Sequence, residues 1–156
     1  MRSKSRVTHT LRQTRIERFA FDTNAIIYLL NRVEPYLSWL GPIFADVEAG
    51  RREAVVSVVT ETETLIHPIR YGDINELERT RAFFSHPNLK VVDATRRIAW
   101  QAAQIRASLN LGLADSIIMA TALTSGCDVV VGNDKKCATR FKDLTYLYLD
   151  DAVRQR

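Results

Sequence analysis

A chain of 156 residues, 46% hydrophobic and 26% charged, suits one globular domain with a sizeable core and leaves no room for a second full one. Its net charge of +4 is unevenly placed: Arg2, Lys4, Arg6, Arg12, Arg15 and Arg18 against Glu17 put +5 into residues 1–18, so the remaining body carries −1. Two cysteines, Cys127 and Cys137, offer neither a disulfide framework nor ligand spacing with histidine, which points to a reducing, cytoplasmic setting.

The basic arm at residues 1–18 lacks an apolar stretch, so it reads as neither a secretory signal nor a membrane span. Its composition predicts a flexible segment, with an Arg-rich transit peptide as the other reading. A polycation of this kind attracts phosphates without reading sequence. Residues 19–151 are the expected domain, and residues 152–156 a short tail.

Phe19 to Phe21 is a short apolar strand that stops at Asp22, and the helix after it buries Ile26, Ile27, Leu29 and Leu30. Glu34 to Gly50 carries Leu37, Leu40, Phe44 and Val47 at helical spacing, with Gly50 as its stop and Pro42 expected to kink or split it. Ala54 to Ser57 is a β-branched strand, and the helix that follows is disturbed at Pro68 and ended by Gly72. Ile74 to Phe84 is helical, and Leu89 to Val92 is a third strand. Asp93 or Thr95 caps the next helix, which presents Ile98, Ala102, Ile105 and Leu109 on one face and is broken at Gly112. Ala114 to Thr124 is apolar around nearly its whole circumference, the pattern of a buried central helix. Asp128 to Val131 is a fourth strand, Asn133 and Asp134 turn the chain, and a last strand lies near Thr145 to Leu149. Short apolar strands alternating with helices predict an α/β fold whose central five-stranded sheet is mainly parallel and covered on both faces. The carboxyl ends of such strands share one edge, where ligands bind at the point of reversed strand order.

Four acids fall where that edge should be. Each has a plain structural reading: Asp22 caps a helix, Glu63 completes a T-x-x-E capping box begun by Thr60, Asp115 lies in a first helical turn, and Asp134 is a turn or cap residue. Together those readings place every carboxylate at a helix start on one edge of the sheet. Two unit charges ~4 Å apart repel by about 4 kcal/mol at an effective dielectric near 20. A hard divalent cation relieves that repulsion, and Mg²⁺ or Mn²⁺ suits carboxylate ligands supplemented by water. Asp22 and Asp115 are the most direct ligands, Asp134 is counted with them, and Glu63 completes the cluster or holds waters. The chemistry that follows is metal-assisted phosphodiester hydrolysis, with one of the acids accepting the proton of the attacking water.

The segments FDTNAIIYLL, SVVTETETL, LADSIIMATAL and VVVGNDKKC, which carry these acids, resemble the PIN domain family, in particular the VapC-type ribonuclease toxins of bacterial and archaeal toxin–antitoxin pairs. The resemblance spans roughly Phe19 to Asp151. It implies a PIN-like three-layer α/β/α fold, Mg²⁺- or Mn²⁺-dependent cleavage of RNA, dimerisation, and inhibition by a cognate antitoxin. By the same matching, Asn24 and Ser57 orient Asp22 and nearby backbone, and Asn133 helps beside Asp134; the plain reading of all three is turn and cap chemistry. Two positions depart from the family pattern. Cys137 stands where an aromatic residue is usual, and Gly132 where a hydroxyl residue is usual, which puts Asp134 in doubt as a ligand.

Glu61 is a rival for Glu63, since both flank the apolar face of Leu65, Ile66 and Ile69, and only motif spacing prefers Glu63. Lys135, Lys136, Arg140, Arg70 and His67 are candidate contacts to an RNA backbone, with a solvated face as the plain alternative. Trp39, Tyr36 and Trp100 read as core or interface anchors, and the three histidines form no zinc-binding spacing. A metal-free RNA-binding or scaffolding module of the same fold is the competing function, and a small-molecule phosphatase or response-regulator-like receiver a third.

Overall fold

A computed structural model describes residues 16–155, so the expectation of a flexible arm lies almost wholly outside the described residues. Five strands form one sheet: β1 (Arg18–Phe21), β2 (Glu53–Ser57), β3 (Leu89–Val92), β4 (Val129–Gly132) and β5 (Thr145–Tyr148). Their order is β3-β2-β1-β4-β5, and every neighbouring pair is parallel. The chain builds outward from β1 through β2 to β3, then returns to the other side of β1 for β4 and β5. Strand order therefore reverses between β1 and β4, and the backbone N–H of Asp22 donates to the Val131 carbonyl at 2.9 Å across that junction. This is the position at which an open parallel sheet leaves a crevice beyond its strand ends.

Eight helices accompany the strands among the described residues: α1 (Thr23–Leu30), α2 (Tyr36–Glu48), α3 (Val58–Tyr71), α4 (Ile74–Phe84), α5 (Arg96–Leu109), α6 (Leu113–Thr124), α7 (Lys135–Arg140) and α8 (Leu149–Arg154). Alternation along β1 divides the core in two. Phe19 and Phe21 pack with Ile26, Leu40, Phe44 and Leu149 on one face, whereas Ala20 joins Ile98, Ile105, Met119 and Phe141 on the other. The valines of β2 and β4 alternate in the same way, which is why these strands read as continuous apolar runs. The helix expected to be central, α6, buries Ser116, Ile118, Met119, Ala120, Thr121 and Ala122.

Several local expectations are corrected. The helices α2 and α3 run unbroken through Pro42 and Pro68. An internal proline costs a helix about 3 kcal/mol, and burial of Trp39, Leu40, Phe44 and Val47 along α2 outweighs it there. Ser57, not Thr60, caps α3: its hydroxyl accepts the Val59 N–H at 3.1 Å, and Thr60 is fully buried. Glu63 is therefore not part of a capping box. Thr95 rather than Asp93 caps α5. That helix ends at Asn110 in a left-handed conformation, and Gly112 opens α6 rather than breaking α5. The stretch expected as a tail from residue 152 belongs largely to α8, where Ala152 is buried against the core.

Candidate active site

Asp22 leaves β1 at the switch point and is 3% exposed. One carboxylate oxygen accepts the Thr23 N–H at 2.7 Å, capping α1, and the other accepts the Tyr146 hydroxyl at 2.9 Å. Burial pushes its pKa up to about 6. The hydrogen bonds from Tyr146 and Thr23 oppose that rise, and the charges of Asp115 and Asp134 add to it. Asp115 arrives in the first turn of α6. Burial is again the first reason that its carboxyl lies above the ordinary range, followed by Asp134 and Glu63, with Lys136 opposing. The missing side chain of Gly112 leaves this carboxylate room, since a Cβ there would stand 3.2 Å from Asp115 Oδ2.

Glu63 comes from the second turn of α3, and Thr23 Oγ1 donates to its Oε1 at 2.7 Å. Asp134 follows β4 and caps the short α7, its Oδ1 accepting the Cys137 N–H at 2.7 Å. All four acids line one cleft of about 440 Å³, together with Asn24, His67, Arg70 and Tyr71. Its lining includes Glu63 and not Glu61, which separates the two rivals on geometry.

The tightest convergence of ligand atoms among the described residues is Asp22, Asp115 and Cys137, all within 4.8 Å of one another. Asp134 is not in that trio, because its carboxylate is turned to the start of α7. Burial first, and then Asp115, Asp134 and Asp22, hold the Cys137 thiol far above its usual pKa. A neutral thiol is a poor ligand for a hard cation. The two carboxylates are thus the natural oxygen donors, with Asp134 and Glu63 at the rim of the same cleft.

Other expected residues are placed differently. Ser57 is buried as the cap of α3, away from the cleft lining. Asn133 donates to the Tyr28 hydroxyl at 3.2 Å and to Asp150 Oδ1 at 3.1 Å, and accepts the Asp150 N–H at 2.9 Å, so it ties β4 to α8 rather than serving Asp134. Arg140 donates to the Leu109 and Asn110 carbonyls, each at 3.2 Å, closing the end of α5. Lys135 and Lys136 are exposed beside Asp134. Arg70 and His67 line the cleft, and His67 lies 3.0 Å from Glu76.

Two polar residues at the site went unread in the sequence. Thr23 lies between the Asp and Asn of the first motif, and its only signal is a hydroxyl facing a helix that sequence alone does not place. Tyr146 lies in β5, far along the chain. Its ring approaches Asp22 across Gly132: a Cβ on Gly132 would collide with the Tyr146 hydroxyl and lie 2.7 Å from Asp22 Cβ.

Comparison with known proteins agrees with this architecture. The sequence model of the family described as PIN domain matches residues 19–144. Among solved structures, VapBC2 from Rickettsia felis bound to a DNA fragment from its promoter is similar at TM-score 0.66 and 17% identity, covering 84% of this chain and 98% of that one. A toxin–antitoxin complex from Klebsiella pneumoniae is similar at TM-score 0.63 and 22% identity, covering 83% and 96%. DNA-bound VapBC from Salmonella typhimurium is similar at TM-score 0.61 and 23% identity, covering 86% and 99%. No curated protein matches the chain. Among the described residues, no helix is long and apolar enough to cross a membrane.

Proposed function

The chain belongs to the PIN domain family, and from that premise and the acidic cleft we propose that it is a metal-dependent endoribonuclease, the toxin of a toxin–antitoxin pair. The observation that carries the reading is the meeting of Asp22 and Asp115, 93 residues apart in the sequence, with ligand atoms within 4.8 Å in one cleft. Burial first, and then the charges of neighbouring acids, raise both carboxyls, which is the electrostatic condition a divalent cation relieves.

Asp22 and Asp115 would hold Mg²⁺ or Mn²⁺, with Asp134 and Glu63 on the open side. When bound, such an ion supplies an activated water and stabilises charge developing on phosphoryl oxygens. The protein contributes the geometry. Thr23 and Tyr146 fix the Asp22 carboxylate by both oxygens, and Thr23 also holds Glu63 toward the cleft. Glu63, at the cleft wall, would accept a proton from water. Arg70, Lys135 and Lys136 provide positive charge near the acids for an RNA phosphate backbone. The three similar structures are a toxin–antitoxin complex and two DNA-bound VapBC assemblies, which supports a cognate antitoxin as partner, and a homodimer is part of the same proposal.

The test uses purified protein with structured RNA. Cutting is expected with Mg²⁺ or Mn²⁺, and is expected to vanish in EDTA and in Asp22→Asn. Cleavage that survives both treatments removes the reading. Growth arrest on expression, relieved by Asp22→Asn, tests the toxin assignment separately.

A further inference from the structure

We propose that Tyr146 is a positioning residue of the metal centre, locking the Asp22 carboxylate in its ligand orientation, and that Gly132 is the gap that admits it. This rests on the reading of the cleft as a divalent-cation site. Tyr146 sits on β5, paired with Val130 of β4, and its ring reaches past Gly132 to the mouth of β1. Its hydroxyl lies 2.9 Å from Asp22 Oδ2 and 3.1 Å from the Asp134 backbone nitrogen.

The direction of those two bonds follows from the groups themselves. The Asp134 N–H can only donate, so it occupies a lone pair of the phenol oxygen. An ionised Asp22 can only accept, so the single hydroxyl proton points at Oδ2. With the Thr23 N–H on Oδ1, the carboxylate is held at both oxygens and cannot rotate, while each oxygen keeps a further lone pair for a cation. The same phenol oxygen ties the start of the Asp134 segment to Asp22, so one atom sets the spacing of two acids on neighbouring strands.

Gly132 is the second observation. A glycine ending a buried run of valines is unfavourable as strand composition, and in such a place it marks a close approach by another group. Here that group is Tyr146: any Cβ would strike its hydroxyl and crowd Asp22 Cβ. Partners that orient a metal ligand in this way carry roughly 10–100-fold in metal affinity or activity.

The test is Tyr146→Phe, which keeps the ring and removes the hydroxyl. Mn²⁺ binding is measured by calorimetry, melting is followed alongside, and cleavage is resolved into kcat and KM for RNA. The expected result is a melting temperature lowered by only a few degrees, a Mn²⁺ Kd raised roughly 10–100-fold, a reduced kcat at limiting Mn²⁺ and an unchanged KM for RNA. Gly132→Ala is expected to reproduce the loss, because its Cβ would strike the Tyr146 hydroxyl and crowd Asp22. If Gly132→Ala does not fold, Tyr146→Phe alone decides. Wild-type Mn²⁺ affinity in Tyr146→Phe, with Asp115→Asn having lost binding, overturns the role of Tyr146 and leaves the metal centre standing. A lowered melting temperature with unchanged Mn²⁺ affinity makes Tyr146 a packing residue and overturns it equally. If the wild-type protein takes up no Mn²⁺, the metal centre and this proposal fall together.

Discussion

The Thr23 hydroxyl donates to Glu63 Oε1 at 2.7 Å, joining the helix that follows β1 to the helix that follows β2. Glu63 is held in the cleft by this contact, and Glu61, two residues earlier, does not line it. Thr23→Val keeps the shape and removes the donor. It is expected to weaken Mn²⁺ binding or RNA cleavage roughly 10–100-fold, with a stability loss of only about 1 kcal/mol. Glu63→Gln should be inactive and Glu61→Gln active; the opposite pair of results would show that the wrong glutamate has been assigned.

The raised pKa of Asp22 makes a signed statement about stability. The folded carboxyl holds its proton to about pH 6, whereas an ordinary aspartate releases it near 3.8. Between those values the folded state binds more protons than the unfolded one, so stability falls as pH rises through the window. The full difference is about 3 kcal/mol above pH 6. In EDTA, Asp22→Asn is therefore expected to be more stable than wild type at pH 7.5, with the gap closing toward pH 4. Urea unfolding of both proteins across this range measures the gap, and a gap independent of pH would remove burial as its cause.

A cation should reverse that penalty. Mn²⁺ at a hundred times its Kd stabilises a folded site by about 2.7 kcal/mol, which for a domain of this size raises the melting temperature by about 5–10 °C. The rise should disappear in Asp115→Asn, because one carboxylate of the converging pair is gone. A Mn²⁺ response equal in both proteins would place the ion elsewhere.

Much of the fold could be read because its signals are local. Valine runs bounded by turn residues mark β2 and β4, and the apolar circumference of α6 marks a helix that is buried along most of its length. Asp22, Asp115 and Asp134 stand out in the sequence for a similar reason, as each follows a strand or opens a helix, whereas only motif spacing prefers Glu63 over Glu61. What could not be read is how side chains turn once strands are adjacent. Tyr146 looks like an ordinary strand residue until β5 is placed beside β4 and Gly132 leaves the way open. Thr60 and Glu63 match a capping box, yet the helix begins one turn earlier at Ser57, so Glu63 is free to face the cleft. Asn133 adjoins Asp134 in sequence while its amide points to the opposite side of the strand end.

Asn133 gives the sharpest separation between support of the fold and support of the site. Its amide bridges the Tyr28 hydroxyl and Asp150, and Asp150 is bonded in turn by the Tyr36 hydroxyl at 2.6 Å and the Tyr148 hydroxyl at 3.2 Å. The Tyr28 and Tyr36 rings stack at 4.1 Å beneath this network. Hydrogen bonds from Tyr36 and Asn133 hold the Asp150 carboxyl below its ordinary range, which marks it as an ionised hub. Removing the amide by Asn133→Ala strips three bonds from partly buried partners, at an expected cost of about 1–3 kcal/mol. Mn²⁺ affinity should be unchanged, because none of these atoms touches Asp22, Asp115 or Glu63. A melting curve and a Mn²⁺ titration on one preparation decide the matter: a weakened Mn²⁺ site with an unshifted melt would return Asn133 to the active site.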